Sequence, residues 1–204
     1  MIKKIDDVYG NLKITWIKVF IMAIACGILT GILMLIPQLK GTSFQNIGVC
    51  MEAWIALALV IILNSEKPLE ASLKTFVFFL ISQPLIYLVQ VPFAALGWQL
   101  FMYYKRWFII TLLTLPGAFI AWYTRKGNLL SVLILAVADG ILMFMEVPMH
   151  LTTLKLYFPH QILALIFIFA SSCYYTLHLI KDKKLRIVSF ALKLVFLAAG
   201  LMYY

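Results

Sequence analysis

The sequence predicts an all-α, polytopic membrane protein with seven transmembrane helices. Three observations carry this. Hydrophobic residues make up 64% of the chain and charged ones 12%, against ~25% charged in an ordinary soluble domain. Mean hydropathy is +1.01. Several runs approach the ~20 apolar residues that cross ~30 Å of hydrocarbon. Most are apolar on every side, whereas a soluble helix needs a polar face toward water.

The 204 residues read as a single integral domain, 1–204, with seven spans in order. Span one covers 14–36 and stops at Pro37. It is long and lacks a small-residue cleavage site, so it reads as a retained span. Span two covers 47–63. Span three, 75–91, carries Pro84 inside and Pro92 just past its end. Span four, 107–123, has Pro116-Gly117 near its middle. Spans five, six and seven cover 129–147, 161–180 and 187–204. The seventh is short, so six spans plus an interfacial tail is the alternative count. Segments 92–107 and 148–160 are rich in aromatic and basic residues, which favour the headgroup zone. A short helix lying on the membrane is expected in the first, and the second is similar.

Net charge is +9. The basic residues lie mostly between apolar runs, where they report orientation rather than nucleic-acid binding. One side collects Lys3, Lys4, Lys13, Lys18, Lys67, Lys74, Arg125, Lys126, Lys181, Lys183, Lys184 and Arg186. The other collects Lys40, Lys105, Arg106 and Lys155. The positive-inside rule therefore puts the amino end in the cytoplasm and the carboxyl end outside, in a bacterial plasma membrane. Cys26, Cys50 and Cys173 form no CxxC pair and read as buried structural thiols.

Gly-Ile-Leu-Met occurs at 31–34 and again at 140–143, each time shortly before a proline. Spans one and five run in the same direction. A 3+1+3 parallel pseudo-repeat follows, with halves 14–91 and 129–204 around a linker helix, 107–123. Pro37-Gln38 matches two residues of the motif of PQ-loop transporters, which share that layout. The second half contains no Pro-Gln pair, and no family is assigned.

Asp139 is the most informative residue. Ten helical residues at ~1.5 Å each bring it near mid-bilayer, where an ionisable group costs roughly 2.5–3.5 kcal/mol and needs a partner. Glu146, seven residues on, shares its face. His150 extends that stripe if the helix survives Pro148. Lys193 either reaches Asp139 or snorkels to the headgroups. With Gln83, Thr114, Ser171 and Ser172 these form a polar layer, and Glu52 sits in the outer half of span two. Glu52, Glu146, His150 and His160 are metal-ligand types, but none has a metal-motif spacing; no metal or cofactor is assigned. Ala23, Gly27 and Gly31 form a small-residue stripe for helix packing.

The favoured function is transport or binding of a small solute in the polar layer. No Gly-rich phosphate loop is present, so an ion gradient or a separate energising subunit would drive it. The bilayer is the evident partner, a homo-oligomer is open, and nucleic acid is not expected. The alternative is an interaction subunit, immunity factor or receptor acting through the small-residue face. An intramembrane enzyme is third. Nothing marks a catalytic residue, and clustering of Glu52, Glu146 and His150 around a water-filled outer cavity would favour that reading.

Overall fold

The computed structural model describes residues 12–47 and 50–203. Lys3, Lys4 and Tyr204, used above, lie outside the described residues. Among the described residues the chain is helical with no strand. Six helices are each long and apolar enough to cross a bilayer, the pattern of a membrane-embedded chain.

Helix α1 (Trp16–Leu35) starts where Thr15 Oγ1 accepts from the Lys18 amide at 3.4 Å, an N-cap that satisfies a free backbone donor. It stops before Pro37, which opens a 3-10 turn (Pro37–Leu39). A one-turn helix, α2 (Ser43–Ile47), leads to α3 (Met51–Leu63). Helix α4 (Pro68–Gln90) runs through Pro84. A 3-10 turn (Gly97–Leu100) passes directly into α5 (Phe101–Ala121), and a second one (Trp122–Lys126) ends at Gly127 with φ of 62°. Asn128 and Ser131 form a reciprocal capping box at the start of α6 (Leu129–Leu156). Helices α7 (Ile162–Leu179) and α8 (Lys183–Tyr203) complete the chain.

Four expectations can be set against the helices. The six long helices leave α3 as the short one: its 13 residues make ~20 Å, less than the ~30 Å of a bilayer core. The last helix, α8, has 21 residues and is long and apolar enough to cross a bilayer. Helix α6 does not end at Pro148 but continues to Leu156, so His150 stays in register with Glu146. Residues 101–107 belong to α5 rather than to a separate surface helix.

The helix connections gather at two ends. At one, Trp122 Nε1 and Arg125 Nη1 donate to the Ser65 carbonyl at 3.0 and 2.6 Å, and Lys74 Nζ donates to the Ile14 carbonyl at 2.5 Å. This is the basic end. At the far end, Ser43 Oγ donates to the His160 carbonyl at 2.5 Å, and Asn46 Nδ2 donates to Gln161 Oε1 at 2.7 Å.

The packing explains the repeated Gly-Ile-Leu-Met. Helices α1 and α4 pack most extensively, then α6 and α8. The glycine of each copy sits at such a contact: a Cβ on Gly31 would meet Val89 Cβ at 2.8 Å, and one on Gly140 would strike the Phe196 ring. Helix α1 thus lies closely on α4, and α6 on α8. The remaining helix breaks the likeness, since α3 lies mainly against α4 while α7 lies mainly against α6. The small-residue stripe serves the same α1–α4 contact: Ala23 is fully buried, and a Cβ on Gly27 would meet the Ser82 carbonyl oxygen at 2.7 Å.

The surface is inverted relative to a soluble protein, with Ile17 71%, Ile21 61% and Leu194 62% exposed. Cys50 is buried as expected of a structural thiol, whereas Cys173 is exposed on this apolar exterior and Cys26 is half-buried.

Gly27→Ala should lower the unfolding midpoint of the purified protein, because the added methyl meets backbone that cannot turn aside; overpacking costs about 1–3 kcal/mol. Gly117→Ala, with nothing within 4 Å of its added Cβ, should leave the midpoint unchanged or raise it. Thermal denaturation of the two variants side by side checks this.

Candidate functional site

Two polar centres lie inside the bundle, both on the α6 face that carries Asp139, Glu146 and His150. The first is an ion pair. Lys193 Nζ of α8 contacts Asp139 Oδ2 of α6, and both residues are buried. Helix α7 completes the centre. Ser172 Oγ donates to Asp139 Oδ2 at 3.1 Å, and Lys193 Nζ donates to Ser172 Oγ at 3.0 Å and to Thr176 Oγ1 at 2.5 Å. The lysine does not snorkel; its ammonium protons are all engaged. Apolar surroundings offer a charge no alternative solvation, so the pair and its hydroxyls hold each other.

The second centre lies toward the far end, where α3 begins. One donor atom from each of Cys50, Glu52, Glu146 and His150 lies within 4.8 Å of the others. Their residues are 3%, 2%, 7% and 0% exposed, so a solvated interfacial cluster is excluded. Glu146 Oε1 accepts from the Met51 amide at 3.3 Å and so caps the start of α3. His150 Nε2 lies 3.3 Å from Glu52 Oε1, without hydrogen-bond geometry. Both Glu52 oxygens, Glu146 Oε2 and His150 Nε2 lack a hydrogen-bond partner.

The other side of the His150 ring is held. Gln161 Nε2 donates to the Gly41 carbonyl at 2.5 Å, which turns Gln161 Oε1 toward Asn46 Nδ2 and His150 Nδ1, at 2.7 and 3.1 Å. Nδ1 must then carry the proton, and a neutral imidazole presents the bare lone pair of Nε2 to the carboxylates. Acceptors facing acceptors in a buried site hold either a shared proton or a cation.

A cavity of about 380 Å³ runs between α3, α4, α5 and α6. Along α3 it follows the chain from Met51 to Ile62, about 16 Å at ~1.5 Å per residue. Met51 ties its far end to the acidic centre, and Asp139 forms part of its wall. The lining is otherwise mostly aliphatic and aromatic. Leu113 and Ile141 line it while 62% and 44% exposed, so it opens sideways between α5 and α6. Trp54 and Thr75 also line it, and Trp54 Nε1 and Thr75 Oγ1 have no hydrogen-bond partner.

The single polar layer expected from sequence is therefore divided. Asp139, Lys193 and Ser172 meet at the ion pair; Glu146 and Glu52 meet at the acidic centre. Thr114 lines the cavity, with its hydroxyl bonded to the Thr111 carbonyl at 2.6 Å. Ser171 bonds within its own helix, to the Ile168 carbonyl at 3.0 Å, and joins neither centre. Gln83 is 1% exposed with both amide atoms unpartnered. His160 is exposed and stands outside the donor set. Sequence reasoning passed over Cys50 as a donor, and also Thr176, Asn46 and Gln161. The i, i+4 spacing of Ser172 and Thr176 was the one readable signal.

Asp139→Asn should destabilise the fold by about 3–5 kcal/mol, because it strands Lys193 as a buried unpaired charge. The double variant Asp139→Asn with Lys193→Met should recover most of that loss. Denaturation of both variants in the same detergent measures it.

Comparison with protein-family models, with curated proteins and with solved structures returned no match, so the functional reading rests on these residues and their geometry.

Proposed function

We propose that this chain is a membrane protein that binds a small, largely apolar solute in the cavity between α3, α4, α5 and α6, and moves it along the bundle. The cavity is the observation that carries the reading. Its volume lies within the ~300–1,000 Å³ of ordinary ligand sites, which are mainly apolar with a few polar groups. The wall here is largely aliphatic and aromatic, with Thr75, Thr114 and Asp139 among its few polar residues. The lateral opening suits a molecule that partitions into lipid first.

In this reading Asp139 is a wall residue whose charge Lys193 already balances, rather than the direct ligand. The basic end faces the cytoplasm by the positive-inside rule. A gradient or a separate subunit would supply any energy, and a second copy of the chain is open as a partner. The interaction-subunit reading loses its main surface, because Gly27 and Gly31 are already covered by α4. The enzyme reading gains the convergence of Glu52, Glu146 and His150 but lacks the water-filled approach, since all three are buried.

Apolar ketones, esters and alcohols of graded size, added to the protein in lipid nanodiscs, should raise its unfolding midpoint. A solute at 100 times its Kd adds about 2.7 kcal/mol. Ala138→Phe, which fills the cavity from α6, should abolish the shift. A midpoint that no solute moves, or that Ala138→Phe moves equally, contradicts the proposal. Flux into proteoliposomes then separates transport from binding alone.

A further inference from the structure

We propose that Cys50, Glu52, Glu146 and His150 form a binding site for a divalent transition metal of the zinc class. It rests on the acidic centre alone and stands or falls apart from the solute cavity.

Charge comes first. Two carboxylates and a thiol are buried together, and Glu52 has neither oxygen partnered although it is 2% exposed. An unpaired carboxylate in an apolar bundle is strongly disfavoured unless a cation or proton neutralises it. The α3 N-terminus contributes only about half a positive charge. A divalent ion balances both carboxylates; Cys50 gives up its proton to the medium on binding and adds a third negative charge, which the α3 N-terminus offsets in part.

Geometry comes second. A tetrahedral ion bound at about 2.0–2.3 Å has ligand–ligand edges of about 3.3–3.8 Å. His150 Nε2 and Glu52 Oε1 already stand 3.3 Å apart. The widest separation in the set is within 4.8 Å, so the donors need close by only about 1 Å around an ion. One sulfur, one imidazole nitrogen and two carboxylate oxygens are a donor set for zinc-like ions rather than for calcium or magnesium, which take oxygen.

The support behind the histidine comes third. Metal-bound histidines characteristically donate their far N–H to an oxygen that fixes ring and tautomer. Gln161 Oε1 takes that place at 3.1 Å and is itself held by Asn46 and by the Gly41 carbonyl. A proton shared between Glu52 and His150 needs no such arrangement for Cys50 and Glu146, which the metal explains together with them. With four buried protein donors, the site has the closed coordination of structural metal sites. It would clamp the first turn of the short helix α3 to α6.

The test uses the full chain in lipid nanodiscs, stripped with a chelator and reloaded with Zn²⁺ or Co²⁺ alone. The expected result is one ion per chain. Co²⁺ should show a thiolate-to-cobalt charge-transfer band and the intense d–d bands of tetrahedral geometry. Cys50→Ser should remove the charge-transfer band, and Glu52→Gln or His150→Ala should abolish tight uptake. Gln161→Leu leaves all four donors in place and should weaken affinity about 10–100-fold, which keeps the test decisive if a donor variant fails to fold. The proposal is overturned if the folded wild-type chain takes up no Co²⁺. It is overturned equally by an octahedral spectrum without a thiolate band, or by undiminished affinity in both Glu52→Gln and Gln161→Leu.

Discussion

Opposite charges pressed together inside an apolar bundle set the arrangement of its second half. Asp139 belongs to α6, Lys193 to α8, and the hydroxyls that complete their shell to α7. Three helices therefore converge on one point. Such a pair adds little net stability over a well-packed apolar replacement, but removing one partner is severe. Its use here is register: α8 cannot slide along α6 without separating the charges. The glycine after Asp139 belongs to the same device. Gly140 lets the Phe196 ring lie against the α6 backbone, and Gly200 lets α8 meet Phe144. The carboxylate stands beside a glycine because the helix bearing its counter-ion must come close. In the first copy of the repeat α4 brings no such counter-ion to Gly31, and a buried threonine, Thr30, precedes the glycine.

The second centre poses the opposite problem. Around Asp139 every acceptor met by a side chain has a donor; around Glu52 the acceptors meet each other. Both lie along one stripe of α6, and the cavity wall runs from Asp139 to Met51, which bonds Glu146. The bundle thus places a charge paired within the protein near its middle and carboxylate oxygens without a hydrogen-bond partner toward the far end.

The membrane class was legible from composition, because lipid demands apolar surfaces on nearly every face and no soluble fold tolerates them. Six of the seven apolar runs became long helices. Span two corresponds to a shorter helix, because hydropathy does not register where a helix starts: α3 begins at Met51, where Glu146 caps it. Pro148 was read as a stop, yet a proline inside an apolar helix is tolerated when side chains satisfy the freed carbonyls. The carbonyl that Pro148 frees is that of Phe144, four residues back, and it lies against Gly200 of α8. Asp139 and Lys193 could be named as candidate partners, since each is costly alone, but sequence left a lysine snorkelling to the headgroups open. Cys50 with His150 could not: they come from distant helices with no motif spacing, and only α3–α6 packing brings them together. Ser171 and Ser172 were indistinguishable in sequence, and a rotation of about 100° along α7 decided which one faces Asp139.

The central claim is that the bundle carries Asp139 as a charged carboxylate balanced by Lys193. Infrared difference spectroscopy between the wild-type protein and Asp139→Asn, recorded in lipid at neutral pH, reads this directly. The account predicts loss of an ionised carboxylate band in the variant. Loss of a protonated carboxyl band instead would show that Asp139 is neutral and that no ion pair holds α6 and α8 in register.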